Sequence, residues 1–326
     1  MIGDMSKITK ASLILFIFFA LDKAVGIFRL SLMTRVLPLR EQDVFHAANN
    51  LPDLLFTLIS GGALAIAFIP VLSEVLDKQG RPQAWKLFSR IANLAFLVTA
   101  ALAAIFALLA EPIIRGGIAP GFDEQQIGLA VQLMRLNLVA TILFSISGLV
   151  MGGLQANQHF LLPAMAPLLY NIGQIVGVIF FAPEERMGLG AVGVAYGVIL
   201  GAGMHLLIQV PGLVRYKFRW SASLGLATSE VRQVLRLMLP RVLTMFFIQA
   251  VFLIRDNLAS RLSEGSVTAL TYGWMIQQVP ETILGTAVAT AMLPTLAEFA
   301  SRADWAAFRG AIERALRALL ALTLPV

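Results

Sequence analysis

Apolar residues run along the chain in long blocks that short polar segments interrupt. Because a helix needs roughly 20 mostly apolar residues to cross a bilayer, each block predicts a membrane span. Proline, glycine and charged residues separate the blocks and predict turns between helices. The predicted spans are 9–37, 42–76, 86–110, 125–155, 160–182, 188–213, 230–262 and 266–299, with a further span beginning near 304. The pattern predicts an all-α protein that crosses a membrane several times.

The second block carries a polar stripe between Asp43 and Gly61. At about 100° per residue its polar side chains fall within an arc of roughly 100° on one side of a helix. They are Asp43, His46, Asn50, Asp53, Thr57 and Ser60. Carboxylates at membrane depth normally line a water-filled cavity or a partner surface. We therefore expect this helix to wall a polar cavity; the alternative is that its polar side packs against neighbouring helices.

The first block contains charged residues well inside an apolar stretch. Asp22, Gly26 and Arg29 are spaced four and three residues apart, so they share one face of a helix. Arg35 is near the predicted helix end and can extend its side chain to the interface. Arg29 lies too deep for that and is a candidate functional residue. Asp22 is expected to line the cavity, or alternatively to pair structurally with Lys23 or Arg29.

An internal repeat relates the two ends of the chain. The segment from Phe68 to Glu74 contains Pro70, and it recurs as Met292 to Glu298, which contains Pro294. Six predicted spans lie between the copies, so both run in the same direction, as in transporters with a central site between two lobes. Proline bends a helix, so these two prolines are candidate hinges.

The repeat also predicts which spans wall the central cavity. The eighth span should match the second, and it carries a neutral polar stripe that includes Thr271 and Gln278. The seventh span places Arg255 and Asp256 within an apolar stretch. We expect spans one, two, seven and eight to enclose the cavity, with Thr57, Thr271 and Gln278 among its lining residues.

The repeat divides the chain into three predicted regions. Residues 1–214 form a six-helix lobe, 215–229 form a cytoplasmic connector, and 230–326 begin a second lobe. By this comparison the ninth span should continue beyond Val326, and most of a second six-helix lobe has no counterpart. The expectation is a truncated form of a longer transporter.

Composition excludes several functional classes. The chain has 326 residues, of which 58% are hydrophobic and 13% charged, with a mean hydropathy of +0.80, which is typical of a membrane protein. It has no cysteine and 3 histidines, and it contains no metal or nucleophile motif, so we expect no enzyme, catalytic residue, metal or cofactor. A transport-coupling ion stays possible.

The basic residues set the predicted orientation. A cytoplasmic N-terminus places most lysine and arginine residues in cytoplasmic loops and helix ends, as the positive-inside rule requires. Lys78, Arg81, Lys86, Arg90, Arg215, Lys217 and Arg219 are among them. We do not expect the net charge of +6 to bind nucleic acid.

Two groups of motifs resemble the MviN/MurJ family over essentially the whole chain. The first contains Gly26 to Arg29, Asp43 to Phe45, Leu51 to Leu55 and Gly62 to Pro70. The second and more specific group runs from Gly153 to Ile172, with Pro163-Ala-Met-Ala-Pro167 and Asn171-Ile172. Members are fourteen-helix flippases of the multidrug/oligosaccharidyl-lipid/polysaccharide exporter superfamily.

The resemblance implies a function. It implies an alternating-access flippase that carries lipid II, the undecaprenyl-pyrophosphate peptidoglycan precursor, to the outer leaflet of the bacterial inner membrane. Arg29 and Asp43 match a required arginine and aspartate, and Asp22 or Lys23 stands near a family arginine. The expected substrate-binding residues are Lys23, Arg29, Asp43, Asn50, Asp53, Arg255 and Asp256.

The chain departs from the family pattern at two positions, which leaves other functions open. Phe56-Thr57 replaces a frequent arginine pair, and Trp274-Met275 follows Tyr272 where the family has arginine. Expected partners are lipid II, membrane lipids and the cell-wall synthesis machinery. The alternatives are a drug or polysaccharide exporter of the same superfamily, and a non-transporting scaffold in cell-wall assembly.

Overall fold

The computed structural model describes residues 2–61, 63–280, 292, 296, 299 and 304–323, and all regular structure in these residues is helical. The α-helices are α1 (Ile2–Val36), α2 (Leu39–Phe56), α3 (Ala63–Gln79), α4 (Arg81–Leu108), α5 (Ala110–Ile113), α6 (Glu124–Ala156), α7 (Leu161–Val176), α8 (Gly190–Leu207), α9 (Val210–Arg215), α10 (Ser229–Ala259), α11 (Ser266–Pro280) and α12 (Trp305–Thr323). Short π-helical turns follow α2, α5 and α7. The all-α prediction is confirmed.

Five helical segments in the described residues are long and apolar enough to cross a membrane. They are Arg81–Leu108, Glu124–Ala156, Leu161–Phe181, Gly190–Arg215 and Ser229–Ala259. Each overlaps a predicted span closely, namely 86–110, 125–155, 160–182, 188–213 and 230–262. These segments confirm the prediction of a membrane protein with several spans.

The predicted span 42–76 is not one uniform α-helix. The π-helical turn Thr57–Gly61 follows α2 directly, and α3 begins at Ala63. A π-helical turn holds an extra residue, so it changes the direction of the side chains that follow it. The last two residues of the predicted polar stripe, Thr57 and Ser60, therefore lie in this turn and not in a regular α-helix.

The chain divides into two compact units, Met1–Val267 and Thr268–Val326. In the first unit, α6 packs against α2, α4 and α8, while α7 lies between α1 and α8. α10 packs mainly against α3 and also contacts α2 and α4. The second unit contains most of α11 together with α12. The lobe boundaries proposed from the repeat stay a prediction, and the second copy of the repeat lies largely outside the described residues.

Glycines allow α7 and α8 to approach each other closely. A Cβ atom added at Gly173 would lie 2.3 Å from the Cα of Gly201, and one at Gly177 would lie 2.7 Å from the Cα of Gly197. Small residues at such a contact let two membrane helices pack backbone to backbone. The contact fixes α7 and α8 side by side, and both helices contribute side chains to the cavity described below.

The connector after α9 is attached to α4 by hydrogen bonds. The indole nitrogen of Trp85 donates to the carbonyl oxygen of Tyr216, at 3.0 Å. The Asn93 amide donates to the carbonyl oxygens of Ser221 and Ser223, at 2.9 Å each. These contacts hold the segment between α9 and α10 across one end of α4.

Candidate functional site

The polar side chains of α2 face two different neighbours. Asp43, Asn50 and Thr57, spaced seven residues apart, contact α10 and the turn that follows it. Asn49 and Asp53 instead point toward the interior of the bundle, where α6 lies. The seven-residue spacing places the first group in one row along the helix.

The α2–α10 contacts form an antiparallel row, which we call the polar seam: Asp43 with Gly265, Asn50 with Asp256, and Thr57 with Gln249. The Gly265 backbone N–H donates to Oδ2 of Asp43 at 2.6 Å. Nδ2 of Asn50 donates to Oδ2 of Asp256 at 2.7 Å. Nε2 of Gln249 donates to Oγ1 of Thr57 at 3.3 Å. Along the seam, residue numbers increase on α2 while those of the partners decrease, so α2 and α10 run antiparallel.

The centre of the polar seam carries a buried ion pair. Nε of Arg255 lies 2.7 Å from Oδ1 of Asp256, whose side chain is 2% exposed. The Arg255 guanidinium also lies over the Phe252 ring, 5.1 Å from its centroid. Asp256 thus receives one donor from its own helix and one from Asn50 on α2. A buried carboxylate needs such partners because burial removes its hydration.

A separate cavity of about 450 Å³, lined by both polar and apolar residues, lies inside the first unit. Its lining residues come from α1, α2, α6, α7 and α8. They are Asp22, Arg29, Asn49, Pro52, Asp53, Phe56, Asn137, Ala140, Thr141, Phe144, Gly148, Met151, Pro167, Tyr170, Asn171, Val198 and His205. The inner face of α2 meets α6 at this cavity. The expectation that spans one, two, seven and eight enclose a central cavity stays a prediction, because the eighth span lies largely in the second unit and outside the described residues.

Arg29 borders the cavity and is held by α7. Its Nη1 atom donates to Oε1 of Gln174 at 2.5 Å. Nε of Arg29 and Nε2 of Gln174 are both buried and have no hydrogen-bond partner among the described residues. Arg29 thus has a buried donor that Gln174 does not occupy. Arginine with free donors is the usual protein partner of phosphate oxygens.

The two carboxylates of the cavity have different surroundings. Oδ1 of Asp22 accepts a hydrogen bond of 2.8 Å from Nδ2 of Asn171, and Oδ2 lies 4.0 Å from Nζ of Lys23. Asp53 is exposed to the cavity, and no described residue donates a hydrogen bond to it. Asp22 is thus fixed by neighbours, whereas Asp53 presents its carboxylate to the cavity.

The remaining predicted residues have varied positions. The Lys23 side chain is 83% exposed. Asp43, Asn50, Thr57, Arg255 and Asp256 belong to the polar seam and are absent from the cavity lining. Pro70 is an exposed residue inside α3. Thr271 and Gln278 lie on α11 in the second unit. Pro294 lies outside the described residues.

Several cavity residues were not predicted from the sequence as functional. Asn49, Asn137, Thr141, Tyr170 and His205 line the cavity but were not among the predicted site residues. Oδ1 of Asn49 accepts a hydrogen bond from Nδ2 of Asn137 at 2.8 Å, which links α2 to α6. Nδ1 of His205 lies 2.5 Å from Oγ of Ser147. The recurring polar residues along α6 could have indicated a cavity, because such residues are unusual in a membrane-spanning helix that only packs against other helices.

Charged residues outside the spans cap and connect the helices. The backbone N–H of Gln126 donates to Asp123, and the Arg40 guanidinium adds a further hydrogen bond; together they lower the pKa of Asp123. Asp123 and Gln126 also form a capping box at the start of α6. Hydrogen bonds from Arg115 lower the pKa of Glu124. These contacts fix the loop that precedes α6.

The family of the chain follows from comparison with known proteins. A family model described as "Lipid II flippase MurJ" matches residues 41–326. The chain belongs to the MurJ family. A lipid II flippase MurJ from Burkholderia cenocepacia is 29% identical over 315 residues, covering 94% of this chain and 60% of that protein. A probable lipid II flippase MurJ from Bdellovibrio bacteriovorus is 26% identical over 302 residues, covering 92% of this chain and 57% of that protein. The MurJ-family chain thus spans about three fifths of the length of these curated relatives.

Solved structures share the fold of this MurJ-family chain. A structure titled "Lipid II flippase MurJ, inward closed conformation" superimposes with a TM-score of 0.75 at 21% identity, covering 94% of this chain and 62% of that chain. An inward-facing multidrug resistance MATE family transporter of the MOP superfamily has a TM-score of 0.68 at 17% identity, covering 90% of this chain and 70% of that chain. This MurJ-family chain therefore shares its fold with both of these solved structures.

Proposed function

We propose that this MurJ-family chain takes part in moving lipid II from the inner to the outer leaflet of the bacterial cytoplasmic membrane. The observation that carries the proposal is Arg29, whose guanidinium borders a polar cavity among membrane-spanning helices. A cation at this depth is costly unless it has a function or a partner. Family membership supports a pyrophosphate-linked lipid as the ligand.

Arg29 has the chemistry that a pyrophosphate headgroup requires. Its planar guanidinium can donate two parallel hydrogen bonds to phosphate oxygens, which an ammonium group cannot do. Gln174 accepts from one terminal nitrogen and so holds the guanidinium, with its other N–H donors, at the edge of the cavity. The headgroup would bind at these donors while the polyprenyl chain stays in the bilayer.

The polar seam supports a transport cycle in which α2 and α10 separate. The seam contacts of α2 with α10 and the turn after it are hydrogen bonds, which water can replace when the helices part. Apolar side chains on the middle of α10, such as Phe247, Val251 and Ile254, are exposed and do not add to the seam. Hydrogen bonds that break and re-form in this way suit alternating access between two lobes.

The distribution of basic residues supports a cytoplasmic N-terminus. In that orientation the Asp43 end of the polar seam faces the outer side and Arg215 the inner side. The pyrophosphate headgroup carries negative charge, so a membrane potential that is negative inside favours its outward movement. No covalent chemistry is needed for this function.

Complementation of a bacterium depleted of its lipid II flippase tests the proposal. The full-length gene should restore growth, and Arg29→Ala should abolish rescue while the protein still inserts into the membrane. Arg35→Ala is the matched control, because Arg35 is exposed on the same helix and does not line the cavity. Normal rescue by Arg29→Ala at equal membrane abundance would refute the role of Arg29, and failure of the wild-type gene would refute the proposed function.

A further inference from the structure

We infer that the cavity binds a proton at Asp53 together with the lipid pyrophosphate at Arg29, so that headgroup binding and proton uptake are linked. The inference rests on the proposed function and deepens it by naming the coupled ion. Two features of the cavity support it: the carboxylates of Asp22 and Asp53 have different partners, and Arg29 lines the same cavity.

Asp53 is the cavity carboxylate with no fixed partner. It is exposed to the cavity and receives no hydrogen bond from a described residue. A hydrogen-bonded carboxylate is held in its charged form, whereas one that lacks donors takes up a proton more readily. Asp22 instead accepts a hydrogen bond of 2.8 Å from the Asn171 amide and lies 4.0 Å from Nζ of Lys23. Asp53 is therefore the carboxylate whose charge changes.

The other titratable and charged groups around Asp53 can be named helix by helix. α1 contributes Asp22 and Arg29, α7 contributes Tyr170, and α8 contributes His205. The lining residues from α6 are polar or apolar without a titratable group. His205 is occupied at Nδ1 by Ser147, and Tyr170 is neutral at ordinary pH. Arg29 and the two carboxylates thus set the charge of the cavity.

A proton suits this site better than a metal cation. Arg29 lines the same cavity, and its positive charge repels a second cation. Within the described residues, no group of three or more carboxylate or histidine side chains could hold a metal ion. A proton needs only the Asp53 carboxylate, and it removes a negative charge instead of adding a separate cation.

Headgroup binding and protonation of Asp53 should favour each other. A pyrophosphate diester beside an ionised Asp53 experiences like-charge repulsion, which protonation removes. The headgroup therefore binds best when Asp53 is neutral, and by linkage it draws a proton onto Asp53. The neutralised cavity then holds Asp22 and Arg29, whose charges cancel, together with the headgroup.

Binding of fluorescently labelled lipid II to the purified full-length protein across roughly pH 5 to 9 tests the inference. Its pyrophosphate is esterified at both ends, so the ligand does not itself titrate in that range. Wild-type affinity should fall as pH rises, with a slope approaching about tenfold per pH unit for one linked proton. Asp53→Asn should bind at every pH with about the affinity of the wild type at low pH. Asp22→Asn is the matched control and should keep the pH slope.

Calorimetry in two buffers of different ionisation enthalpy gives a second readout that counts protons directly. Wild type should take up close to one proton per lipid II bound at a pH where Asp53 is ionised, and Asp53→Asn should take up none. Affinity that is flat with pH in the wild type, or an equal slope in Asp53→Asn, would overturn the proton inference and leave the flippase proposal standing. Absence of lipid II binding at any pH in either protein would overturn both.

Discussion

Asn50 on α2 donates a hydrogen bond of 2.7 Å to the buried carboxylate of Asp256 on α10, which lies 206 residues later in the chain. The second Asp256 oxygen is 2.7 Å from Nε of the adjacent Arg255. A carboxylate so deeply buried depends on both donors, because no water can replace either one without the helices moving. This contact is the centre of the polar seam.

Removing the Asn50 amide should destabilise the protein more than removing a neutral contact of the same seam. Asn50→Ala leaves Asp256 with one donor fewer, and we expect a loss of about 1–3 kcal/mol in unfolding free energy. Gln249→Ala is the control, because its 3.3 Å bond to Thr57 joins two neutral groups and should cost about 1 kcal/mol or less. Thermal unfolding of the two variants in detergent gives the comparison. Equal losses would show that Asp256 does not depend on Asn50.

Gln174 should act by positioning Arg29. Gln174→Ala removes the acceptor of the 2.5 Å bond from Nη1, so Arg29 becomes free to rotate away from the headgroup position. We expect lipid II affinity to fall by about five- to tenfold, which corresponds to about 1 kcal/mol. In a double-mutant cycle, Gln174→Ala should add little to Arg29→Ala, because the two residues act as one unit. Fully additive effects would mean that Gln174 acts independently of Arg29.

The glycines of α8 should differ sharply in their tolerance of alanine. A Cβ atom at Gly201 would lie 2.5 Å from the carbonyl oxygen of Tyr170, whereas one at Gly203 would meet nothing within 4 Å. We expect Gly201→Ala to destabilise the protein by about 1–3 kcal/mol through overpacking. Gly203→Ala should be neutral or stabilising by up to about 1 kcal/mol, because alanine favours the helix. Unfolding midpoints in detergent provide the measurement, and similar midpoints would contradict the close α7–α8 contact.

Asp123 should make the stability of α6 depend on pH at the acidic end. Its folded-state pKa is lowered, first by the Gln126 backbone hydrogen bond, so its contribution is present above the unfolded-state pKa and is lost as pH falls through the folded one. Asp123→Ala should lower the Tm at neutral pH, and its difference from wild type should shrink on acidification. Asp123→Asn can still cap the helix but carries no charge, so its own contribution should not vary with pH. A difference between wild type and Asp123→Ala that is constant with pH would rule out a charged cap.

Much of the helical pattern could be predicted from the sequence. Long apolar blocks specify spanning helices because the bilayer demands both length and apolar composition, and five such segments are found where predicted. The interruption after Phe56 was not predicted, because a π-helical turn leaves almost no trace in composition. The division of the predicted span 42–76 into α2 and α3 therefore became visible only in the structure.

The sites were harder to predict than the spans. Periodicity placed Asp43, Asn50 and Asp53 on one side of α2, but an arc of roughly 100° is wide enough to border two neighbours. The packing of the helices determines that Asn50 contacts α10 whereas Asp53 lines the cavity. His205 was missed because a single histidine in a glycine-rich span shows no pattern, and its place at the cavity depends on which helices adjoin.

The polar seam also determines when the polar residues of α2 obtain their partners during biosynthesis. Its three hydrogen bonds join residues separated by 192, 206 and 222 positions in the chain. The ribosome therefore synthesises the partners of Asp43, Asn50 and Thr57 only after α2, and most of the helices that follow α2, have already emerged. Until α10 emerges, Asp43 and Asn50 enter the insertion machinery without the groups that later satisfy them. A newly made α2 must therefore stay hydrated, or be sheltered by an insertase, until the segment that completes it is translated.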